Sequence, residues 1–229
     1  MRAAAGLPSV MRLSRVHHPV TALGPGRRLG IWVQGCSLAC PGCMSRDTWD
    51  VSGGSEVEIG EVVGTWTTAR RNGASGVTIS GGEPSEQSLA VAALLDQVRE
   101  ADAIACRQDG GAPVDILIFT GLEEAEFRRT APELIGSADA VVLGRFDVRR
   151  PTDLVWRGSA NQVLLPLTPL GIARYADHIG RRTERPDLQV LVEQDQIVTI
   201  GVPRIGDLHR VQLLLRERGI ETGRVSWRP

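Results

Sequence analysis

The sequence predicts an α/β fold, namely an open, partial parallel β/α barrel over residues 1–185 with a small C-terminal α+β appendage over 186–229. Three observations predict it. Short β-branched runs alternate with stretches of helical period, which implies a parallel sheet with right-handed crossovers. The residues with chemistry to offer fall at the C-terminal ends of the predicted strands, the edge that carries active sites in barrel-like α/β folds. Beyond about Arg185 the pattern changes to a hairpin followed by a helix.

Taken in order, Leu29 to Gln34 reads as a buried strand, and a cysteine-rich loop begins at its end. Ser55-Glu56-Val57-Glu58 reads as a capping box. It opens a helix in which Ile59, Val62, Val63 and Trp66 recur at i, i+3, i+4 and i+7, and Asn72-Gly73 ends that helix. Val77 to Ser80 is a short β-branched strand, with Gly81-Gly82-Glu83 as the turn after it. Ser85 is placed to cap a second helix carrying Val91, Leu94, Leu95 and Val98 on one face. Residues 109–113 form a polar, glycine-rich loop, and Cys106 falls where the helix is running out. Val114 to Phe119 is an apolar strand broken only by Asp115, Leu122 to Arg129 a short helix, and Ala140 to Leu143 another strand. Cys36, Gly81, Thr120 and Gly144 then all belong to strand C-terminal ends. In the appendage, Leu188 to Glu193 and Gln196 to Gly201 make a hairpin around Gln194-Asp195. Asp207 caps a helix with Leu208, Val211 and Leu215 inward, Gly219 ends it, and Val225 and Trp227 fall in a last short strand. The appendage reads as a structural cover for the sheet edge, with partner docking or substrate covering as the functional alternative.

Composition removes several function classes. A chain of 229 residues buries about 70% of its unfolded surface and needs no disulfide staples. With 26 basic against 27 acidic side chains, no overall field draws it to nucleic acid or to an anionic membrane. All the basic residues are arginine, which excludes a Schiff-base lysine and a lysine-dependent phosphate loop. No apolar run reaches the roughly 18 residues of a membrane span. Met1 to Val20 carries Arg2, Arg12, Arg15, His17 and His18 and lacks the apolar core of a secretory signal. The expected location is the cytoplasm, where thiols stay reduced.

Cys36, Cys40 and Cys43 form a C-x3-C-x2-C cluster within Gly35-Cys36-Ser37-Leu38-Ala39-Cys40-Pro41-Gly42-Cys43, while Cys106 stands alone and reads as a structural thiol. Three thiols this close are poorly explained by packing. A zinc site would need a fourth ligand, and His17, His18, His178 and His209 lie at no familiar finger spacing. A redox dithiol at Cys40-Pro41-Gly42-Cys43 leaves Cys36 unexplained and lacks the strand that precedes a thioredoxin-like motif. An iron–sulfur cluster uses all three thiols. A four-iron cluster normally takes four thiolates, so three would leave one iron open. The second motif, Gly81-Gly82-Glu83, follows the cysteines by about 40 residues and discriminates among these readings. Its paired glycines let a ligand approach the backbone, and its carboxylate suits an ammonium group.

With both motifs in place the chain resembles the radical S-adenosylmethionine superfamily. The resemblance implies that Cys36, Cys40 and Cys43 hold one 4Fe–4S cluster. It implies that Gly81, Gly82 and Glu83 receive the methionine part of S-adenosylmethionine, and that the backbone around Gly42, Cys43 and Met44 touches its adenosine part. The residue before the third cysteine, commonly aromatic in the superfamily, is Gly42 here. Narrower similarity is to the glycyl-radical-enzyme activases. It is carried by Gly24-Pro25-Gly26-Arg27-Arg28, Ile31-Trp32-Val33-Gln34-Gly35-Cys36 and Arg46-Asp47-Thr48-Trp49-Asp50. Asp139 to Phe146 and Trp156-Arg157-Gly158-Ser159-Ala160-Asn161-Gln162 resemble the anaerobic ribonucleotide reductase activating proteins. Leu23 and Leu143 stand where that pattern often has Asp. What the resemblance implies is reductive cleavage of S-adenosylmethionine to a 5′-deoxyadenosyl radical. The radical would install a glycyl radical on a partner such as an anaerobic ribonucleotide reductase, with flavodoxin or ferredoxin as electron donor. No acid–base residue is required, and no catalytic residue is assigned beyond the cluster ligands and cofactor contacts. The alternative is a radical enzyme that modifies a small molecule or peptide; a third class, an electron carrier, leaves Gly81-Gly82-Glu83 unused.

Overall fold

The computed structural model describes residues 8–193, 196–221 and 223. Strands β1 (Val10–Val20), β2 (Arg28–Val33), β3 (Ser55–Glu58), β4 (Gly76–Gly81), β5 (Asp115–Phe119), β6 (Ala140–Leu143) and β7 (Val163–Pro166) form one seven-stranded sheet in the order β3-β1-β2-β4-β5-β6-β7. The inner four, β2, β4, β5 and β6, are parallel. On one side β1 pairs antiparallel with β2 and β3; on the other β7 pairs antiparallel with β6. Among the described residues the sheet is open, with β3 and β7 as its two ends. Helices α1 (Ile59–Arg71), α2 (Ser88–Asp109), α3 (Glu124–Thr130), α4 (Pro132–Ser137) and α5 (Pro169–Tyr175) connect the strands or follow them.

The parallel strands carry apolar residues on both faces, as buried parallel strands do. Leu29, Ile31, Val33, Val77, Ile79, Ile116, Ile118, Val141 and Leu143 face the helices and share a core with Val62, Trp66, Val91, Leu94, Leu95 and Val98. The alternate positions, two residues apart along each strand, line the concave face. There Leu117, Val142, Leu164 and Tyr175 form a second cluster, with Phe119 and Trp156 against it. Arg28 and Asp115 are on this face too, both fully buried and paired at 2.8 Å. Arg28 also donates from Nε to the Thr78 hydroxyl at 2.6 Å, and Asp115 takes hydrogen bonds from the Tyr175 hydroxyl and from Arg174. Gly76 makes room for the guanidinium, since a Cβ there would lie 2.3 Å from its Nη1. Burial would raise the Asp115 carboxyl, but the Arg28 charge, with hydrogen bonds from Arg28 and Tyr175, holds it below the usual aspartate range.

A separate sheet, two-stranded among the described residues, pairs β8 (Leu188–Glu193) with β9 (Gln196–Gly201) and is followed by α6 (Asp207–Glu217). This hairpin covers the concave face near β1. Ile200 is buried with Val20 and Leu23, and Trp32, Phe119, Val198 and Val202 pack against that cluster. The Gln189 side chain fastens the contact. It accepts from the backbone N–H groups of Thr21 and Ala22 and donates to the Pro19 carbonyl. No helix among the described residues is long and apolar enough to cross a membrane.

Several local expectations need correction. Ser55 to Glu58 is not a capping box but an edge strand paired with β1; α1 starts at Ile59 as its periodicity requires, with no side-chain cap. Ser85 does not cap α2 but lies in a 3-10 turn, Pro84–Gln87, that precedes it. Helix α2 extends to Asp109, so Cys106 sits in its last turn, which Gly110 terminates in a left-handed conformation. Asp207 is the first residue of α6 rather than its cap, and its carboxylate accepts from the Arg204 backbone N–H at 2.8 Å. The antiparallel strands β1 and β7 were not anticipated. Gln194-Asp195, Val225 and Trp227 lie outside the described residues.

Candidate active site

The cysteine loop leaves β2 at the C-terminal edge of the parallel strands and closes on its own base. The Gly35 and Cys36 N–H groups bond to the Thr48 and Trp49 carbonyls at 2.8 and 3.1 Å. Gln34, buried below them, donates from Nε2 to the Asp47 and Asp50 carbonyls. Gly35 and Gly42 have φ of 99° and 81°, values that favour glycine. At Gly42 the turn also lies close to Phe146 and Val148, which a Cβ would meet at 3.3 Å. Phe146, supplied from beyond β6, thus stands beside Gly42 in the cavity lining.

The Gly-Gly-Glu turn is bonded directly onto this loop. Gly82 N–H donates to the Val33 carbonyl and Glu83 N–H to the Gly35 carbonyl, both at 2.8 Å. A Cβ on Gly82 would lie 2.2 Å from the Gly35 oxygen, so only glycine fits. The next residues complete the attachment, with the Glu86 carboxylate accepting from Ser37 N–H and hydroxyl at 2.6 and 2.7 Å. Glu83 is 3% exposed and its side chain turns toward β5. It accepts from the Thr120 hydroxyl and Gly121 N–H at 2.8 Å and from Ser85 N–H at 3.0 Å. Burial pushes its carboxyl above the usual glutamate range despite these donors. Glu83 therefore ties the ends of β4 and β5 together, a role that its motif alone does not reveal, while Oε2, which accepts one bond to the two of Oε1, retains capacity for a further donor.

All four cysteines are free thiols and half-buried. Burial raises Cys36 and Cys43. The Leu38 and Ala39 N–H groups oppose this at Cys36; the Ser45 N–H and the Trp49 side chain oppose it at Cys43. Three soft sulfur donors on one loop, two of them already facing hydrogen-bond donors, are a donor set that fits an iron–sulfur cluster. Among the described residues no three His, Cys, Asp or Glu side chains converge on a point as one metal ion's ligands must; thiolates bound to three different irons have no such requirement. Cys106, about Arg70 and Asp102 on the helical layer, takes no part.

A cavity of about 680 Å3 opens beside the loop. Residues 42–45 line it, with Trp32, Ser80 and Phe119 from the concave face, residues 151–158, and residues 199–206 from the hairpin side. The Trp156-to-Gln162 segment is fixed mainly by its own polar side chains. Gln162 accepts from Gly158 N–H and donates to the Gly144 carbonyl, and Asn161 donates to the Arg145 carbonyl. Arg157 is 4% exposed and donates to the Val155 and His178 carbonyls. Sequence reasoning missed the Arg28–Asp115–Tyr175 network beneath the cavity, for which the one visible signal was an acidic residue interrupting an apolar strand. It also missed the hairpin's share in the cavity wall, which has no local signature.

An open α/β sheet with a three-cysteine loop and a Gly-Gly-Glu turn joined at one edge defines a class. The family model described as "4Fe-4S single cluster domain" matches residues 22–165, and the chain belongs to that family, as a radical S-adenosylmethionine enzyme of the glycyl-radical activase type. It is 31% identical over 155 residues to the anaerobic ribonucleoside-triphosphate reductase-activating protein of Vibrio cholerae, covering 65% of this chain and 94% of that one. It is 29% identical over 154 residues to the protein of that name from Escherichia coli K12, with 65% and 94% covered. With the protein of Enterobacteria phage T4 the identity is 27% over 156 residues, with 67% and 93% covered. The relatives are thus matched over nearly their whole length, while about a third of this chain has no counterpart in the match.

Proposed function

We propose that this protein installs a glycyl radical on a partner enzyme of the anaerobic ribonucleotide reductase kind. Residues 1–185 would be the catalytic unit and 186–229 an appendage to it. Cys36, Cys40 and Cys43 would hold one 4Fe–4S cluster. Gly81, Gly82 and Glu83 would bind the methionine part of S-adenosylmethionine, with the backbone of Gly42, Cys43 and Met44 against its adenosine. Held by these residues and reduced by a flavodoxin or ferredoxin, the cluster would supply the one-electron chemistry for reductive cleavage of S-adenosylmethionine. The protein's part is to hold the target Cα–H close and to keep water away. Trp32, Phe119 and Phe146 give the cavity beside the loop the apolar lining that this needs. The observation that carries the reading is the direct bonding of the Gly-Gly-Glu turn to the cysteine loop, through Gly82 to Val33 and Glu83 to Gly35. If the two motifs act as proposed, these two bonds would hold the cofactor contact at a set position relative to the adjacent cluster ligand Cys36.

The test mixes reduced, reconstituted protein with S-adenosylmethionine and the glycyl-radical protein of the same genome. The expected outcome is 5′-deoxyadenosine and a persistent glycyl signal in electron paramagnetic resonance, with deuterium passing from a labelled target glycine into 5′-deoxyadenosine. A second reading, a radical enzyme acting on a small molecule or peptide, is favoured by the hairpin wall on the cavity. That reading expects no lasting protein radical and label from the small substrate in the product.

A further inference from the structure

The same cavity holds cationic groups that the cluster and cofactor reading does not use. Arg157 is almost fully buried, and among the described residues its guanidinium bonds only to backbone carbonyls. No carboxylate among the described residues pairs with it, and burial lowers its pKa below the ordinary arginine value. Arg204, on the segment between β9 and α6, also lines the cavity. One of its terminal nitrogens, Nη1, donates to the Glu184 carbonyl at 2.7 Å, while Nη2 is buried with no hydrogen-bond partner among the described residues. The acidic residues in the lining are Asp153, which is engaged by Arg182, and Asp187, which is exposed to solvent. Arg181 and His209 add to the basic side. A buried guanidinium without a counter-charge is costly, and an unmet N–H donor adds to that cost. Proteins keep such groups where a ligand supplies the missing acceptor, and the planar fork of arginine suits carboxylate and phosphate oxygens. At about 680 Å3 the cavity is in the range of small-molecule and cofactor sites, roughly 300–1,000 Å3.

We propose that Arg204, together with Arg157, forms an oxyanion subsite in this cavity, which binds a carboxylate or phosphate of the molecule that loses hydrogen. The subsite rests on the radical-enzyme reading above and adds the substrate chemistry to it. Arg204 lies past residue 165, where the family match ends, so the hairpin region supplies a recognition group that the matched domain does not contain. The group bearing the oxyanion is either an acidic side chain on a segment of the partner protein or a small acid.

The test titrates probes into the reconstituted protein without oxygen, by calorimetry, with and without S-adenosylmethionine. The probes are succinate, inorganic phosphate and a glycine-containing peptide with two aspartates, beside succinamide and the same peptide with asparagines. At least one anion should bind saturably while the neutral counterparts do not. Binding should weaken at least about tenfold in Arg204→Ala, recover partly in Arg204→Lys and stay unchanged in the outer-surface control Arg128→Ala. Binding of succinate or phosphate alone assigns a small acid; binding of the peptide alone assigns a protein segment. Equal affinity in an Arg204→Ala protein of unchanged melting temperature overturns the proposal, and so does the absence of saturable binding. Full displacement by S-adenosylmethionine overturns it too, because Arg204 would then be a cofactor contact. Should Arg204→Ala not fold, Arg204→Gln gives the same comparison. Slow 5′-deoxyadenosine formation without substrate gauges the parent reading separately. Its presence without anion binding refutes the subsite alone, and its absence with anion binding intact refutes the radical reading.

Discussion

A methyl group on Gly82 would stand 2.2 Å from the Gly35 carbonyl oxygen, so this glycine sets the distance between the cysteine loop and the turn after β4. Gly82→Ala should push the two apart. The expected outcome is a protein that still folds but loses iron faster to a chelator than the wild type, measured by the decay of its absorption near roughly 400 nm, characteristic of thiolate-bound clusters. An iron-release rate equal to the wild type's would show that the loop does not depend on the turn. The cysteines give a sharper contrast. Replacing Cys36, Cys40 or Cys43 by Ala should abolish that absorption, whereas Cys106→Ala, on the last turn of α2, should leave it intact. Glu83 is more than the cofactor contact that its motif suggests. Removing its side chain strands the Thr120 hydroxyl and the Gly121 and Ser85 N–H donors. Glu83→Ala should therefore lower unfolding stability by about 2–3 kcal/mol as well as weaken cofactor binding. A loss of binding with no change in the denaturation midpoint would mean that the hydrogen bonds to β5 carry no weight.

Elements were legible wherever a local pattern coincided with burial. The Ile59, Val62, Trp66 stripe became the buried face of α1, and the β-branched runs at 77–80, 114–119 and 140–143 became β4, β5 and β6. The clustering of Cys36, Gly81, Thr120 and Gly144 at one sheet edge was legible for the same reason, because parallel strands put their C-terminal ends together. Ser55 to Glu58 misled because a capping box and an exposed edge strand share polar residues, and only pairing of Val10 to Leu13 with this segment decides between them. Strand β7 was hidden because its pairing with β6 is tertiary information. The buried ion pair at Arg28 and Asp115 links β2 with β5 across β4, and it too was invisible as a pair. Its energetics are testable by pH. The carboxyl of Asp115 is depressed in the folded protein, so the unfolded chain binds its proton more tightly. The pair's contribution is fully present above the ordinary aspartate value and is lost as pH falls through the lowered folded one. Asp115→Asn, which leaves Arg28 buried without a counter-charge, should cost about 3–5 kcal/mol at neutral pH. It should also flatten the acid limb of the stability–pH curve. Parallel acid limbs in variant and wild type would remove this pair from the account of acid unfolding.

At the scale of the whole molecule, the two sheets are joined, among the described residues, by side chains and not by a continuous ladder. The seven-stranded sheet carries the cysteine loop and the Gly-Gly-Glu turn at one edge, while among the described residues β8 and β9 hydrogen-bond as strands only to each other. A two-stranded hairpin alone is marginal in water, so docking to the larger sheet contributes to its order. Ile200 is buried against Val20 and Leu23, and Gln189 makes three backbone bonds to residues 19, 21 and 22. Such an attachment should open as a unit, at lower free energy than global unfolding. Because residues 199–206 wall the cavity, each opening would also uncover it. Native-state hydrogen exchange checks this directly. The amides paired between β8 and β9 should exchange at one common rate, well ahead of those in β4 and β5. Gln189→Ala should accelerate the hairpin amides at least about tenfold, since it strands two N–H donors and a carbonyl, and should leave β4 and β5 as they were. Saturation with whichever anion occupies the cavity should slow hairpin exchange again, because a ligand bound only to the closed form raises the cost of opening by RT ln(1 + [L]/Kd). Exchange of the hairpin together with β4 and β5 at the global rate would instead make the molecule one cooperative unit. In that case the cavity would be uncovered only when the sheet itself unfolds, and a folded partner would have to reach the cysteine loop from the side that the hairpin leaves open.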